Sequence, residues 1–155
     1  SDIGARYLEL FPKHIFDGLT IMAYAPEFLA ELKKRGLKIA CFTNKQQEGA
    51  EPILERTNLR GYLDAVIGTT LHSPRKPDRA FTAYALATLG TEASETLGVG
   101  DSPYDYKAAR VCGLDSALVA TGGDSADFLK SECPEAVGVF SDFKDLAKSL
   151  FGITL

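Results

Sequence analysis

From Pro26 onward, short apolar runs alternate with stretches in which apolar residues recur every three or four positions. The short runs are typical of strands, and the periodic stretches are typical of amphipathic helices. The predicted helices cover 26–35, 46–57, 78–89, 103–111, 125–131 and 142–150, and the predicted strands cover 37–42, 65–68, 97–100, 116–120 and 137–140. Strands that alternate with helices of this length predict parallel pairing and right-handed crossovers, hence an α/β fold: a three-layer α/β/α, Rossmann-like sheet.

Residues 1–25 do not share this alternation. Residues 5–11 could form a helix, and residues 19–24 could form a strand or an extended connector.

Composition excludes several classes of partner. The chain has 155 residues, 17 Lys and Arg against 21 Asp and Glu, and no basic tract, which argues against nucleic acid as a partner. No apolar run has membrane-spanning length, so we expect no membrane partner. The three cysteines lack metal-ligand spacing; Cys41 and Cys112 stand in apolar contexts and are predicted to be small core residues, which favours a reducing cytoplasmic location.

The segment Gly100-Asp101-Ser102-Pro103-Tyr104-Asp105 follows an apolar run directly. If that run is a buried strand, both carboxylates lie at the carboxyl edge of the sheet, where α/β folds bind ligands. Two carboxylates could hold a hard cation such as Mg²⁺. Alternatively, Ser102 and Asp105 only cap a helix that begins at Pro103.

Polar residues also follow two other predicted elements. Thr43 and Asn44 come just after a strand, where a hydroxyl, an amide and backbone N–H groups could hold phosphate oxygens, or where either side chain could merely cap the next helix. Lys76 precedes Pro77, which restricts the backbone and so gives the lysine a defined position. The Lys76 ammonium could then offset the negative charge of carboxylates and phosphate. The alternative is that these residues form a solvated basic loop.

The segments CFTNK (41–45), RKPD (75–78) and VGDSPYD (99–105) resemble the second, third and fourth motifs of the haloacid dehalogenase superfamily. Phosphoglycolate phosphatase-like hydrolases are the most similar subgroup. The resemblance runs from about Pro26 to the C-terminus, and the TGG loop (121–123) resembles a glycine-containing loop near the family's site.

The resemblance implies a role for each matching residue. Thr43 would bind the transferring phosphoryl group, with Asn44 beside it, and Lys76 would stabilise the charged intermediate. Asp101 and Asp105 would hold the cofactor Mg²⁺, Asp105 through water or as support. The implied substrate is a small phosphorylated metabolite.

The family's first motif, Asp-x-Asp-Gly-Thr at the end of a strand, carries the nucleophile, and this chain has no such pattern. The segment Phe16-Asp17-Gly18-Leu19-Thr20 has one aspartate where two are needed. Residues 1–25 instead resemble the end of a helical cap and its linker, with the hydrolase core at 26–155. We therefore expect this chain alone to be inactive.

In the family, the strand that carries the first motif is central, between the strands that end at Phe42 and Gly100. We therefore expect an incomplete sheet, since unpaired inner strands are costly. An upstream segment, residues 15–24 or a second copy of the chain would have to complete it.

Two functions remain open. The first is an Mg²⁺-dependent phosphatase that acts, in the intact protein, through an aspartyl-phosphate. The second is a non-catalytic fragment or degenerate domain that binds Mg²⁺, phosphate or a partner. The order of residues argues against a phosphoacceptor signalling domain, because there the acidic residues precede the threonine and the lysine, the reverse of the order here. A dinucleotide-binding site is disfavoured because its third glycine would fall at Pro103.

Overall fold

A computed structural model describes residues 7–10, 16–17, 20–21, 23–56, 58–121 and 123–155. The strands are β1 (Tyr7–Leu10), β2 (Phe16–Asp17), β3 (Thr20–Ile21), β4 (Ile39–Gln46), β5 (Ala65–Thr69), β6 (Thr96–Gly100), β7 (Asp115–Val119) and β8 (Gly138–Phe140). The helices are α1 (Ala25–Lys34), α2 (Gln47–Arg56), α3 (Arg79–Leu89), α4 (Pro103–Arg110), α5 (Ala126–Glu132) and α6 (Phe143–Leu146). Short 3₁₀ turns cover Arg60–Tyr62 and Ala93–Glu95, and a π-helical turn, Ala147–Phe151, continues α6.

Six strands form one parallel sheet in the order β5-β4-β1-β6-β7-β8, and β2 pairs with β3 in a separate antiparallel pair. Alternate residues of β4 belong to different apolar clusters: Ile39 and Cys41 pack with α1 and α6, whereas Ala40 and Phe42 pack with α3. Helices therefore cover both faces of the sheet, as the predicted three-layer α/β/α fold requires.

The helix α1 illustrates how the sequence specifies these elements. Pro26 lies in the first turn, and Phe28, Leu29 and Leu32 are buried on one face. Gly36 follows the helix with a φ of +78°, a left-handed conformation that glycine adopts without steric cost. The predicted helix over 26–35 is confirmed within one residue.

The centre of the sheet differs from the prediction. Tyr7–Leu10 pairs in parallel with both β4 and β6, with Leu8 opposite Ile39 on one side and opposite Leu97 on the other. The helix allowed for residues 5–11 is thus wrong for these four residues, and the expected gap is filled by them rather than by residues 15–24. Pairing satisfies the N–H and C=O groups of two inner strands, which outweighs a weak local helix preference. The assignment of residues 1–25 to a cap remnant stays a prediction.

The strand β4 extends four residues beyond the predicted 37–42, and its register with β5 shifts between Phe42 and Gln46. Directly after the shift, the side-chain amide of Gln47 donates to the Val66 carbonyl at 3.0 Å and accepts from the Gly68 N–H at 2.6 Å. Residues 43–45 therefore leave the regular ladder at the carboxyl end of the sheet, where the candidate site lies.

Candidate active site

Lys76 and Asp105 form a buried ion pair. Lys76 Nζ lies 2.9 Å from Asp105 Oδ1, and the two side chains are only 5% and 3% exposed. The ammonium also donates to the Phe42 carbonyl at 3.1 Å and lies 5.2 Å from the centre of the Phe42 ring. The lysine charge is thus held at the carboxyl end of β4, as the sheet-edge prediction requires.

The second oxygen of Asp105 organises the start of α4. Asp105 Oδ2 accepts from the backbone N–H of Asp101 at 2.9 Å, and from the N–H and the hydroxyl of Ser102, both at 3.2 Å. Ser102 and Asp105 form a capping box. The capping interpretation of Asp105 is therefore confirmed for one oxygen, while the other oxygen pairs with Lys76. The predicted role of Asp105 at Mg²⁺ stays a prediction.

Gly100 makes this arrangement possible. A Cβ atom added at Gly100 would lie 2.2 Å from Asp105 Cβ and 2.5 Å from Asp105 Cγ. Only glycine lets the Asp105 side chain fold back over the end of β6. The residue was part of the matching motif, but its packing role was missed.

Asn44 lies beside Lys76, and its amide bonds to the lysine backbone. Asn44 Oδ1 accepts from the Lys76 N–H at 2.7 Å, and Asn44 Nδ2 donates to the Lys76 carbonyl at 3.3 Å. Its predicted contact with phosphate stays a prediction.

Thr43 and Asp101 are also buried, at 6% and 4% exposed. Thr43 directly follows Phe42, whose carbonyl binds Lys76, and Asp101 is joined to Asp105 through its own N–H. The strands that carry them, β4 and β6, lie on either side of β1. Thr43, Asn44, Lys76, Asp101 and Asp105 are therefore brought to one edge of the sheet.

The site can be tested for its fit to Mg²⁺. Asp101 and Asp105 bring two buried carboxylates to this edge of the sheet, and carboxylate oxygens are the ligands that a hard cation prefers. Both oxygens of Asp105 are already engaged, which leaves the Asp101 carboxylate as the principal donor. Among the residues that the structure describes, no group of three or more His, Cys, Asp and Glu side chains could hold a metal. This donor set fits Mg²⁺, which often binds one or two carboxylates and completes its shell with water and phosphate oxygens.

Other candidates lie elsewhere or outside the described residues. Asp17 belongs to β2, in the separate two-stranded pair. Thr121 and Gly123 lie in the turn after β7, while Gly122 lies outside the described residues, so the role of this loop stays a prediction. His72 lies in an exposed loop, and His14 lies outside the described residues.

Sequence reasoning also missed Thr69 as part of the site. This buried threonine, 1% exposed, donates its hydroxyl to the Asn44 carbonyl at 3.0 Å. It stands at the end of a predicted strand without a motif around it, so only the strand pairing reveals the contact.

The cysteines depart in part from expectation. Cys41 is buried as predicted, and burial raises the pKa of its thiol to about 12, with the Lys76 charge opposing that shift. Cys112 is only half-buried, because it lies in the turn after α4, where its Sγ is 3.6 Å from the Arg79 carbonyl oxygen. The second fully buried cysteine is Cys133.

A cavity of about 430 Å³ lies beside β5, between Gln47 and Val66 on one side and Phe81 and Tyr84 on the other. Its lining contains no charged side chain. The cavity is therefore not the anion site that Lys76 indicates. No helix in the described parts of the chain is long and apolar enough to cross a bilayer.

Comparison with known proteins finds relatives that this chain matches over part of their length. The phosphoglycolate phosphatase of Aquifex aeolicus is 32% identical over 121 residues, which are 76% of this chain and 57% of that protein. The phosphoglycolate phosphatase of Rhodospirillum rubrum is 33% identical over 142 residues, which are 92% of this chain and 58% of that protein. The chain therefore spans less than two thirds of either relative.

Fold comparison agrees with the sequence matches. The crystal structure of a predicted phosphatase from Clostridium acetobutylicum superposes with a TM-score of 0.78 at 25% identity, over 86% of this chain and 61% of that one. The family model for haloacid dehalogenase-like hydrolases matches residues 3–119. With three motifs on one sheet edge and this match over most of its length, the chain belongs to the haloacid dehalogenase-like hydrolases.

Proposed function

We propose that this chain carries the phosphate-binding and Mg²⁺-binding part of a phosphatase of the phosphoglycolate phosphatase type, which acts on a small phosphorylated metabolite. The observation that carries this proposal is the buried Lys76–Asp105 pair at the carboxyl edge of the sheet. A buried, oriented ammonium next to the buried carboxylates of Asp101 and Asp105 is suited to bind a phosphoryl group together with a cation.

Each residue has a distinct task in this proposal. The Thr43 hydroxyl donates to a phosphoryl oxygen, and Lys76 neutralises the negative charge that phosphoryl transfer concentrates there. Asp101 supplies the carboxylate for Mg²⁺, while Asp105 holds Lys76 and the loop in place. Bound Mg²⁺ supplies further charge neutralisation.

In the intact protein, we propose hydrolysis through an aspartyl-phosphate: a carboxylate attacks phosphorus and displaces the alcohol of the ester, and water then attacks the aspartyl-phosphate, which releases phosphate and restores the carboxylate. The central strand β1 contains no aspartate, and the residues that follow it in the sequence are Phe11, Pro12 and Lys13. Asp17 is assigned no part, because β2 is separate from the main sheet. This absence of an aspartate from β1 favours the second candidate function for the chain alone, which is binding without turnover.

The binding proposal is tested by titrating the chain with inorganic phosphate, in the presence and absence of Mg²⁺, by calorimetry. We expect millimolar or tighter binding, about −4 kcal/mol or more favourable, that requires Mg²⁺. Asp101→Asn should abolish the Mg²⁺-dependent binding of phosphate. Asp127→Asn, at an exposed position of α5, should change neither the affinity for phosphate nor its dependence on Mg²⁺. Equal phosphate affinity with and without Mg²⁺ would contradict the metal assignment.

Turnover is tested separately. The chain should release no phosphate from phosphoglycolate or other small phosphate esters above the level of a Lys76→Met control. Mg²⁺-dependent release by the unmodified chain would show that it contains a nucleophile and would overturn the binding-only candidate.

A further inference from the structure

Asn44 connects two segments that are far apart in the sequence. Its amide accepts from the Lys76 N–H at 2.7 Å and donates to the Lys76 carbonyl at 3.3 Å, across 32 residues. A carboxamide that bonds both backbone groups of one residue fixes that residue's position and its orientation.

Asn44 is itself anchored to the sheet. The backbone carbonyl of Asn44 accepts a hydrogen bond from the buried Thr69 hydroxyl at 3.0 Å, which ties Asn44 to the end of β5. It also lies where the register of β4 shifts relative to β5, so its backbone is not placed by the regular ladder alone. The threonine bond compensates for that irregularity.

The loop that carries Lys76 is otherwise organised by short turns. The Ser73 N–H donates to the Thr70 carbonyl, and the Asp78 N–H donates to the Arg75 carbonyl, each over three residues. Such turns shape a loop but do not set its distance from the sheet. The amide of Asn44 does.

The two ends of Lys76 are therefore held independently. Asn44 holds its backbone, while Asp105 and the Phe42 carbonyl hold its ammonium. Because a lysine side chain has four flexible carbon–carbon bonds, fixing only the ammonium would leave the backbone free to drift, and fixing only the backbone would leave the ammonium free.

We propose that Asn44 is a positioning residue, which sets the place of Lys76 and acts on phosphate only through the lysine. The phosphate part of this inference rests on the proposed function. It departs from the direct phosphate contact that the motif resemblance implies for Asn44.

The first test does not depend on phosphate. In protein labelled with ¹⁵N-lysine, the Lys76 ammonium should give a slowly exchanging NMR signal, assigned by its loss in Lys76→Met. Asn44→Ala should shift or broaden that signal. The matched control Gln46→Ala, which removes an exposed carboxamide from the same strand, should leave it unchanged.

Thr69→Val supplies a second variant of nearly constant shape, in case Asn44→Ala folds poorly. It removes the anchor of Asn44 and should shift the same signal in the same direction by a smaller amount. The inference would be overturned if the Lys76 signal of folded Asn44→Ala, or that of Thr69→Val, were the same as in the unmodified chain.

The second test separates positioning from direct contact by a double-mutant cycle on phosphate affinity. Asn44→Ala should weaken Mg²⁺-dependent phosphate binding about tenfold in the unmodified background, but less than about twofold in the Lys76→Met background. Additive losses would mean that Asn44 contacts phosphate itself, and would overturn the inference. If the unmodified chain binds no phosphate, the proposed function fails, and the ammonium signal still decides the role of Asn44.

Discussion

Two strand–helix junctions in this fold use the same local chemistry with different surroundings. At the β6–α4 junction, Asp105 accepts from the backbone N–H of Asp101, four residues earlier. At the β8–α6 junction, Asp145 accepts from the N–H of Ser141, again four residues earlier, and at the same distance of 2.9 Å. The sequence spacing and the hydrogen bond are shared.

The surroundings of the two aspartates differ in two respects. Asp105 is buried and paired with Lys76, whereas the bonds of Asp145 are to nearby serines, Ser141 and Ser149, on its own segment. Gly100 precedes the first junction, and the bulky Phe140 precedes the second. A helix-capping aspartate is thus not by itself evidence of a functional site. An aspartate that is buried and paired with a cation from a distant part of the sequence is such evidence.

The largest effect should come from removing that cation. Lys76→Met leaves the buried Asp105 carboxylate without its partner and should lower the free energy of unfolding by about 3–5 kcal/mol. Lys144→Met, an exposed lysine of α6, should cost less than about 1 kcal/mol. Urea unfolding of both variants measures the difference. Equal costs would show that the two junctions do not differ energetically.

The next effect concerns the two aspartates themselves. Asp105→Asn removes the charge that Lys76 faces and should cost about 3 kcal/mol. Asp145→Asn keeps an acceptor at a half-exposed position and should cost about 1 kcal/mol or less. The same unfolding measurement applies, and a larger loss at Asp145 would reverse the comparison.

The glycine before the first junction gives a smaller effect. Gly100→Ala forces Asp105 away from its place and should cost about 1–3 kcal/mol. Gly61→Ala is the control, because a Cβ there meets no atom within 4 Å. If Gly100→Ala also weakens phosphate binding while Gly61→Ala does not, the displaced Asp105 carries the effect to Lys76.

The smallest effect belongs to an exposed pair, Lys33–Asp64. Burial would raise the pKa of Asp64, but hydrogen bonds from Lys33 and from the Ile39 N–H outweigh it and hold this pKa below its usual 3.8. Because the folded pKa is depressed, the stabilisation is present above about pH 4 and is lost as the pH falls through the folded value. The difference in unfolding free energy between the unmodified chain and Asp64→Asn should therefore shrink from pH 6 to pH 3. A constant difference would contradict the shift.

The sequence predicts the fold well, because alternating periodicity is a local signal. The bounds of α1, β5 and α4 differ from prediction by two residues at most. Local patterns cannot reveal contacts that depend on distant pairing. The place of β1 depends on two strands that lie much further along the chain, as the pairs Leu8–Ile39 and Tyr7–Thr96 show, which are 31 and 89 residues apart.

The same limit applies within the site. The motifs identify Thr43, Lys76 and Asp101 by type and order, since parallel strands bring their ends to one edge. They do not reveal that Asn44 turns toward the Lys76 backbone, because that orientation depends on the register shift in β4 and on Thr69.

The double use of Asp105 makes two backbone amides into reporters of the lysine. The N–H groups of Asp101 and Ser102 donate to the carboxylate whose other oxygen binds Lys76. A ligand that draws the Lys76 ammonium away from Asp105 changes the charge that these two amides face. The rate at which the amides take up deuterium should therefore change when a ligand binds at the candidate site. Deuterium exchange in the first turn of α4 would then report ligand binding without any label placed in the candidate site.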